Sequence, residues 1–182
     1  MPEEALLVEH EGGLVPETEG WFVVNAAQAP WWRSADRGAT CYFEGEDDFR
    51  ELGIRLKALW PGQPNGMYHS EGAQEDFLVL AGECLLLIEG EERPLRAWDF
   101  VHCPPYTEHI FVGAGDQPCL ILMVGARRGE EIIRYAVSEL ARSHGASVER
   151  ETSRPEEAYA HSSSGETGPI PDSLLPSLRA AQ

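Results

Sequence analysis

The chain is short of basic residues, of paired cysteines and of long apolar runs, and each shortage removes a class of function. Only 14 Lys and Arg stand against 31 Asp and Glu, for a formal charge of -17. That field repels nucleic-acid phosphates and anionic membrane surfaces, so neither is expected as a partner. Cys41, Cys84, Cys103 and Cys119 are widely spaced with no CxxC pair, which excludes a zinc ribbon or a thioredoxin-type motif. They read as reduced thiols packed as small hydrophobes in a cytoplasmic protein. No apolar run approaches the roughly 20 residues of a membrane-spanning helix. The acidic start, MPEEALLVEHEGG, lacks the apolar centre of a signal peptide. A nucleophile elbow, a phosphate-cradling glycine loop, a basic aromatic patch and an internal repeat are all missing.

What remains suits one soluble domain: 182 residues, 42% hydrophobic and 25% charged. Residues 1–20 read as an N-terminal arm, broken by Gly12, Gly13 and Pro16. A β-barrel is expected over 21–127. Its strands read as Trp21–Val24, Thr40–Phe43, Ile54–Leu59, Phe77–Leu80, Cys84–Ile88, Phe100–Cys103, Ile110–Val112 and Leu120–Val124. Ala29–Trp32 reads as an aromatic loop and Glu89–Glu92 as an acidic turn. Many short strands with turn signals every 8 to 12 residues or so indicate a sandwich or barrel. Runs apolar throughout, such as Cys84–Ile88, imply burial on both faces, with the outer face under a second sheet, the arm or a partner subunit. Arg127–Gly129 reads as a basic hinge. Residues 128–148 then form a C-terminal helical segment, with Ser138 as helix N-cap and Gly145 as stop. Residues 149–182 are polar and rich in Ser, Gly and Pro, which predicts a flexible tail.

The chemistry concentrates in two stretches. GMYHSEGAQEDFLVLAGE (66–83) puts His69, Glu71 and Glu75 ahead of an apolar strand that ends at Gly82. AWDFVHCPPYTEHIFV (97–112) carries Asp99, Pro104 and His109. These stretches resemble the two motifs of the cupin superfamily, G(X)5HXH(X)3-4E(X)6G and G(X)5PXG(X)2H(X)3N. His69, Glu71, Glu75 and Gly82 keep the first motif's spacing, with Glu71 where a second histidine is usual. Asp99, Pro104 and His109 are similar to the second. Trp98 and Tyr106 stand where it commonly has glycines, and Gly113 where it has Asn. Slid by one residue, the first motif matches Tyr68 and Ser70 instead and turns His69 away. We prefer the register that keeps the imidazole.

The resemblance implies an all-β, double-stranded β-helix (a jelly-roll-like barrel). It implies a divalent transition metal, Fe, Mn, Zn or Ni, held by His69, Glu75 and His109 with Glu71 as a possible fourth ligand. Alternation on a strand puts His69 and Glu71 on one face, and Phe111 on the same face as His109. His102, Phe111, Tyr106 and Trp60 are candidates for the pocket wall, and Trp31, Trp32 and Trp98 are further aromatic candidates. Two functions follow. One is a metal-dependent enzyme, oxygenase, isomerase or hydrolase, acting on a small organic molecule. The other is a non-catalytic small-molecule-binding cupin whose metal is structural or absent. A homodimer is expected under either.

Overall fold

The computed structural model describes residues 1–127 and 132–174. A hairpin opens the chain, β1 (Leu7–His10) with β2 (Gly13–Pro16), followed by β3 (Trp31–Ser34), β4 (Gly38–Tyr42) and β5 (Leu52–Leu59). Next come β6 (His69–Glu71), β7 (Glu75–Ala81), β8 (Glu83–Ile88) and β9 (Glu91–Arg96). The barrel is completed by β10 (Phe100–Cys103), β11 (His109–Ala114) and β12 (Cys119–Ala126). After it lie β13 (Ile133–Tyr135), two short helices, α1 (Glu139–Ser143) and α2 (Pro155–Ala158), then β14 (Glu166–Gly168) and a 3-10 turn at Asp172–Leu174. No described helix is long and apolar enough to cross a membrane.

Two antiparallel sheets carry the fold, in the orders β10-β7-β12-β5-β4-β3-β14 and β13-β6-β11-β8-β9. Their facing sides enclose Leu59, Phe77, Val79, Leu86, Phe111, Ile121 and Met123. The fold is the expected all-β double-stranded β-helix. In β7 the alternation is plain: Glu75, Phe77 and Val79 are buried inward, whereas Asp76, Leu78 and Leu80 are only partly covered. Gly82 turns β7 into β8 at φ +74°, and a Cβ there would lie 2.7 Å from the Pro118 carbonyl oxygen. Only glycine meets both demands without strain.

Parts of the outer faces are also buried, and the same chain covers them. Trp31, Cys41, Leu56, Ala58 and Leu120 of the larger sheet pack under Ala29 from the N-terminal segment and Ile170 and Leu174 from the C-terminal one. Tyr68, Leu87, Ile110 and Val112 of the smaller sheet pack under Ala136, Ala141 and Ala146. Ser138 caps α1 by accepting the Ala141 N–H at 3.2 Å, and Gly145 stops it at φ +69°.

Several local expectations need correction. The arm is a paired hairpin tied down by the Ala5 N–H donating to Trp21 O (2.8 Å). The strand expected at Trp21–Val24 is a single bridge from Trp21 to Glu4, and Val23 is exposed. The aromatic loop becomes strand at Trp31, and the acidic turn becomes strand at Glu91. The tail expected to be flexible is built into the barrel as far as Leu174. β14 pairs with β3, and Ile170 and Leu174 are buried. Two well-placed apolar side chains and one strand suffice where mean composition suggests nothing. Residues 175–182, and Arg128 and Gly129 of the expected hinge, lie outside the described residues. Arg127 is tied to Glu44 (Nη2 to Oε2, 3.0 Å) and to Phe49 O (2.7 Å).

Candidate metal centre

Register assembles the site. His109 in β11 sits directly across from His69 in β6, and Tyr135 in β13 lies across from His69 on its other side. Directly opposed residues share a face, so all three rings point into the barrel. The two imidazole centroids are 5.1 Å apart. Glu75 arrives from the facing sheet, its Oε2 at 3.4 Å from His109 Nε2. One candidate ligand atom from each of His69, Glu75 and His109 falls within a mutual 4.8 Å. Tyr68, the alternative choice in the slid register, is buried on the outer side of the sheet among Leu87 and Ile110. The register that keeps the imidazole is the one the barrel adopts.

The proton inventory is informative. His69 Nδ1–H donates to Met67 O (2.7 Å), and His109 Nδ1–H donates to Thr107 O (3.0 Å). A carbonyl oxygen only accepts, so each Nδ1 carries a proton and each Nε2, when unprotonated, presents its lone pair to the cluster. Burial pushes His109 down to about 4, with repulsion from His69 adding to it. Burial, reinforced by Glu71, pushes Glu75 up to about 7. Burial also opposes charge on His69, but the hydrogen bond that its protonated ring donates to Glu71 and the charges of Glu75 and Glu71 outweigh it and raise that imidazole. Its partner Glu71 is held below the usual carboxylate range by His69, at 3.5 Å from Nε2. Lone pairs on two imidazoles and a buried carboxylate thus converge on one point. Protons relieve this partially, and a divalent cation relieves it fully. The donor set therefore fits a first-row transition metal. Glu71 lies beside the mutually close trio rather than within it.

A cavity of about 380 Å3 opens onto His69 and Glu71, lined also by Trp32, Arg37, Arg55, Lys57, Tyr135 and Tyr159. A second, of about 160 Å3, reaches Glu71 and Glu75 past Gly53 and Gly125. Gly125 lies directly across from both Glu75 and Gly53, so the row beside Glu75 has no side chains to fill that space.

The other expected site residues divide. Phe111 is buried against Phe77 (ring centroids 4.8 Å apart) beneath His109, and its N–H donates to Asn65 Oδ1 (2.8 Å). It supports the site from the core. His102 is not in the wall. It points outward and bonds Asp76 (Nδ1 to Oδ1, 2.7 Å), because it pairs across β7 with Asp76 rather than with an inward residue. The Tyr106 side chain is 62% exposed, although its backbone N–H donates to Glu71 O (2.6 Å) and steadies β6. Trp60 packs against the outer cluster around Trp31 and lines neither cavity. Trp31 is core and Trp98 is exposed, which leaves Trp32 as the tryptophan facing the larger cavity. All four cysteines are free and buried. Cys103, across from Glu75, is pushed up to about 12 by burial and nearby carboxylates, so its thiol is inert.

Arg37, Arg55, Lys57, Tyr135 and Tyr159 went unnoticed as site residues. The available signal was parity: Arg55 and Lys57 share a face of β5 with Leu59, which is fully buried.

Residues 55–125 match a family model described as Cupin domain. Among solved structures, a predicted oxalate decarboxylase from Thermotoga maritima is 21% identical (TM-score 0.50), covering 57% of this chain and 97% of that one. A sugar phosphate isomerase of a cupin superfamily from Silicibacter pomeroyi is 24% identical (TM-score 0.49), covering 61% of this chain and 68% of that one. A provisionally assigned sugar phosphate isomerase from Acidithiobacillus ferrooxidans is 28% identical (TM-score 0.44), covering 46% of this chain. The match spans only 55% of that protein's length. No curated protein matches the chain.

Proposed function

We infer, for a chain whose residues 55–125 form a cupin domain, that the barrel holds a divalent transition metal and acts on a small organic molecule. The observation that carries this reading is the convergence of His69 Nε2, His109 Nε2 and the Glu75 carboxylate, with both Nδ1 protons committed to backbone carbonyls. Such second contacts fix the tautomer and aim the lone pair, as they do for metal-ligating histidines generally. When bound, the metal supplies Lewis-acid or redox chemistry.

The chain's own residues divide the remaining work. His69, Glu75 and His109 hold the ion. Three protein ligands leave positions open, and the adjoining cavities allow a small molecule to reach them, which favours a reactive site over a closed structural one. Glu71 lies outside the trio, faces both cavities and is ionised at neutral pH. It is placed to take a proton from a bound substrate.

Elemental analysis of protein purified without a histidine tag tests the reading. Near-stoichiometric transition metal in the parent chain, lost in His109→Ala and retained in Glu71→Gln, is the expected result. Parent protein that neither carries nor takes up such an ion on reconstitution refutes it.

A further inference from the structure

The formal charge is -17, yet the larger cavity is lined by three cationic side chains, Arg37, Arg55 and Lys57. Lys57 is 5% exposed. It donates to Thr40 Oγ1 (2.9 Å) and lies 5.9 Å from the centroid of the Trp32 ring. An ammonium has three donors, and among the described residues one is used. No carboxylate among them makes an ion pair with Lys57 or Arg55, in a chain with 31 to offer. Arg37 is clasped between the rings of Trp32 and Tyr159, at 5.3 and 4.7 Å. Its Nη2 donates to Ser163 O (3.4 Å), and Asp36 Oδ1 stands 3.8 Å from Nε. That Nε is buried and has no hydrogen-bond partner.

A structural lysine buried at this depth is ordinarily paired, since an isolated interior charge is costly. Here burial, then repulsion from Arg55 and Arg37, pushes Lys57 down to about 7. The three cations are gathered on one wall, Arg37 and Lys57 lie against aromatic rings, and of the three Arg37 alone has an ion pair among the described residues, with Asp36. This arrangement is what a site for an anion requires before the anion arrives. The cavity, about 380 Å3, is at the small end of the range for ligand pockets.

We propose that this cavity binds a small oxyanion, a carboxylate or a phosphate monoester, with the anionic group on Lys57, Arg37 and Arg55 and the rest of the molecule directed toward His69 and Glu71. Only the second half of that statement rests on the metal reading above. The cationic wall selects the substrate, and the histidine end of the same cavity acts on it.

Isothermal titration calorimetry tests the assignment, using inorganic phosphate, malonate and neutral malonamide on chelator-treated and metal-reconstituted protein. Phosphate or malonate should bind the chelator-treated parent, with malonamide about tenfold weaker or worse, the loss expected when one good charge-assisted contact goes. The tighter of the two anions assigns the ester or the acid. Lys57→Met and Arg55→Gln should each weaken the anion by about tenfold while metal content stays unchanged. Near-UV circular dichroism checks that each variant is folded, and the second serves if the first is not. The proposal is overturned if neither anion binds the parent in either metal state, or if both variants bind it with parental affinity. Anion binding without metal uptake would sink the metal reading and leave this one standing. Metal uptake with no anion binding would do the reverse.

Discussion

Lys57→Met should make the metal-free, anion-free protein more stable at neutral pH, and the gain should vanish as pH rises. Lys57 drops from the ordinary 10.5 to about 7 in the folded chain, chiefly through burial. Between those two values the unfolded chain binds the extra proton and the folded chain does not, so the parent's stability rises with pH across that window. Below about pH 7 the full cost of burying the charge is felt. At roughly 1.4 kcal/mol per pH unit that cost is bounded by about 5 kcal/mol. The ammonium lines a cavity, where water softens the penalty, so about 2 to 3 kcal/mol is the working figure. The groups facing Lys57 are Arg55 two residues along its own strand, Arg37 and Asp36 from the β3–β4 turn, and neutral Thr40 and Ile121 across the neighbouring strands. Methionine keeps the length and gives up one hydrogen bond, worth about 1 kcal/mol. Urea denaturation of both proteins from about pH 6 to 10 reads the difference directly, and titrations common to both cancel. The variant should lead by about 1 to 2 kcal/mol at the acid end and fall level or behind at the alkaline end. A difference that stays flat across the range, or a parent already more stable at pH 6 or so, would refute the argument that this lysine is an unpaired buried charge.

Three further outcomes can be checked by denaturation. Zinc at about 100 times its dissociation constant should raise the parent's stability by about 2.7 kcal/mol, and His109→Ala should show none of that increment. Trp98 (φ +76°, 75% exposed) and Tyr106 (φ +70°, 62% exposed) hold left-handed conformations that cost roughly 1 to 2 kcal/mol in a residue with a Cβ. After the entropy that glycine adds to the unfolded chain, Trp98→Gly and Tyr106→Gly should each stabilise by about 0.5 to 1 kcal/mol. A loss of melting temperature in both would show that the exposed rings make contacts that matter. Ile170→Ala should cost about 2 to 4 kcal/mol because Ile170 completes the cluster around Trp31. A freely moving tail would leave stability unchanged.

The parts of the fold legible in the sequence were those whose information is local. β7, β8, β10 and β12 announce themselves as apolar runs bounded by glycine, proline or acidic turns. Ser138 and Gly145 mark α1 by capping chemistry alone. The short elements were not legible because pairing creates them: β6 and β13 have three residues each, and β14 is polar Glu-Thr-Gly. Their stability comes from a partner strand far away in the chain. Trp98 and Tyr106 stand at glycine positions of the motif and both adopt the glycine-like conformation. The backbone at both positions takes the conformation that glycine favours, although neither residue is glycine, and residue identity alone conceals this.

The strand whose surroundings the sequence conceals most is β5. Alternation assigns Ile54, Leu56 and Ala58 to one face and Arg55, Lys57 and Leu59 to the other, and the habitual inference sends the charged face to solvent. In this barrel both faces are inside. Leu56 and Ala58 pack under the chain's own terminal segments, while Lys57 lies directly across from Ile121 and Arg55 from Met123, both core residues. Periodicity reports which residues share a side, but it does not say what that side meets. Charge on an inward face is tolerated only where it has a counter-charge or a cavity. The histidine end of the barrel concentrates lone pairs and carboxylates, and the β5 end concentrates cations. A molecule carrying an anionic group at one end and metal-binding oxygens at the other would satisfy both ends at once.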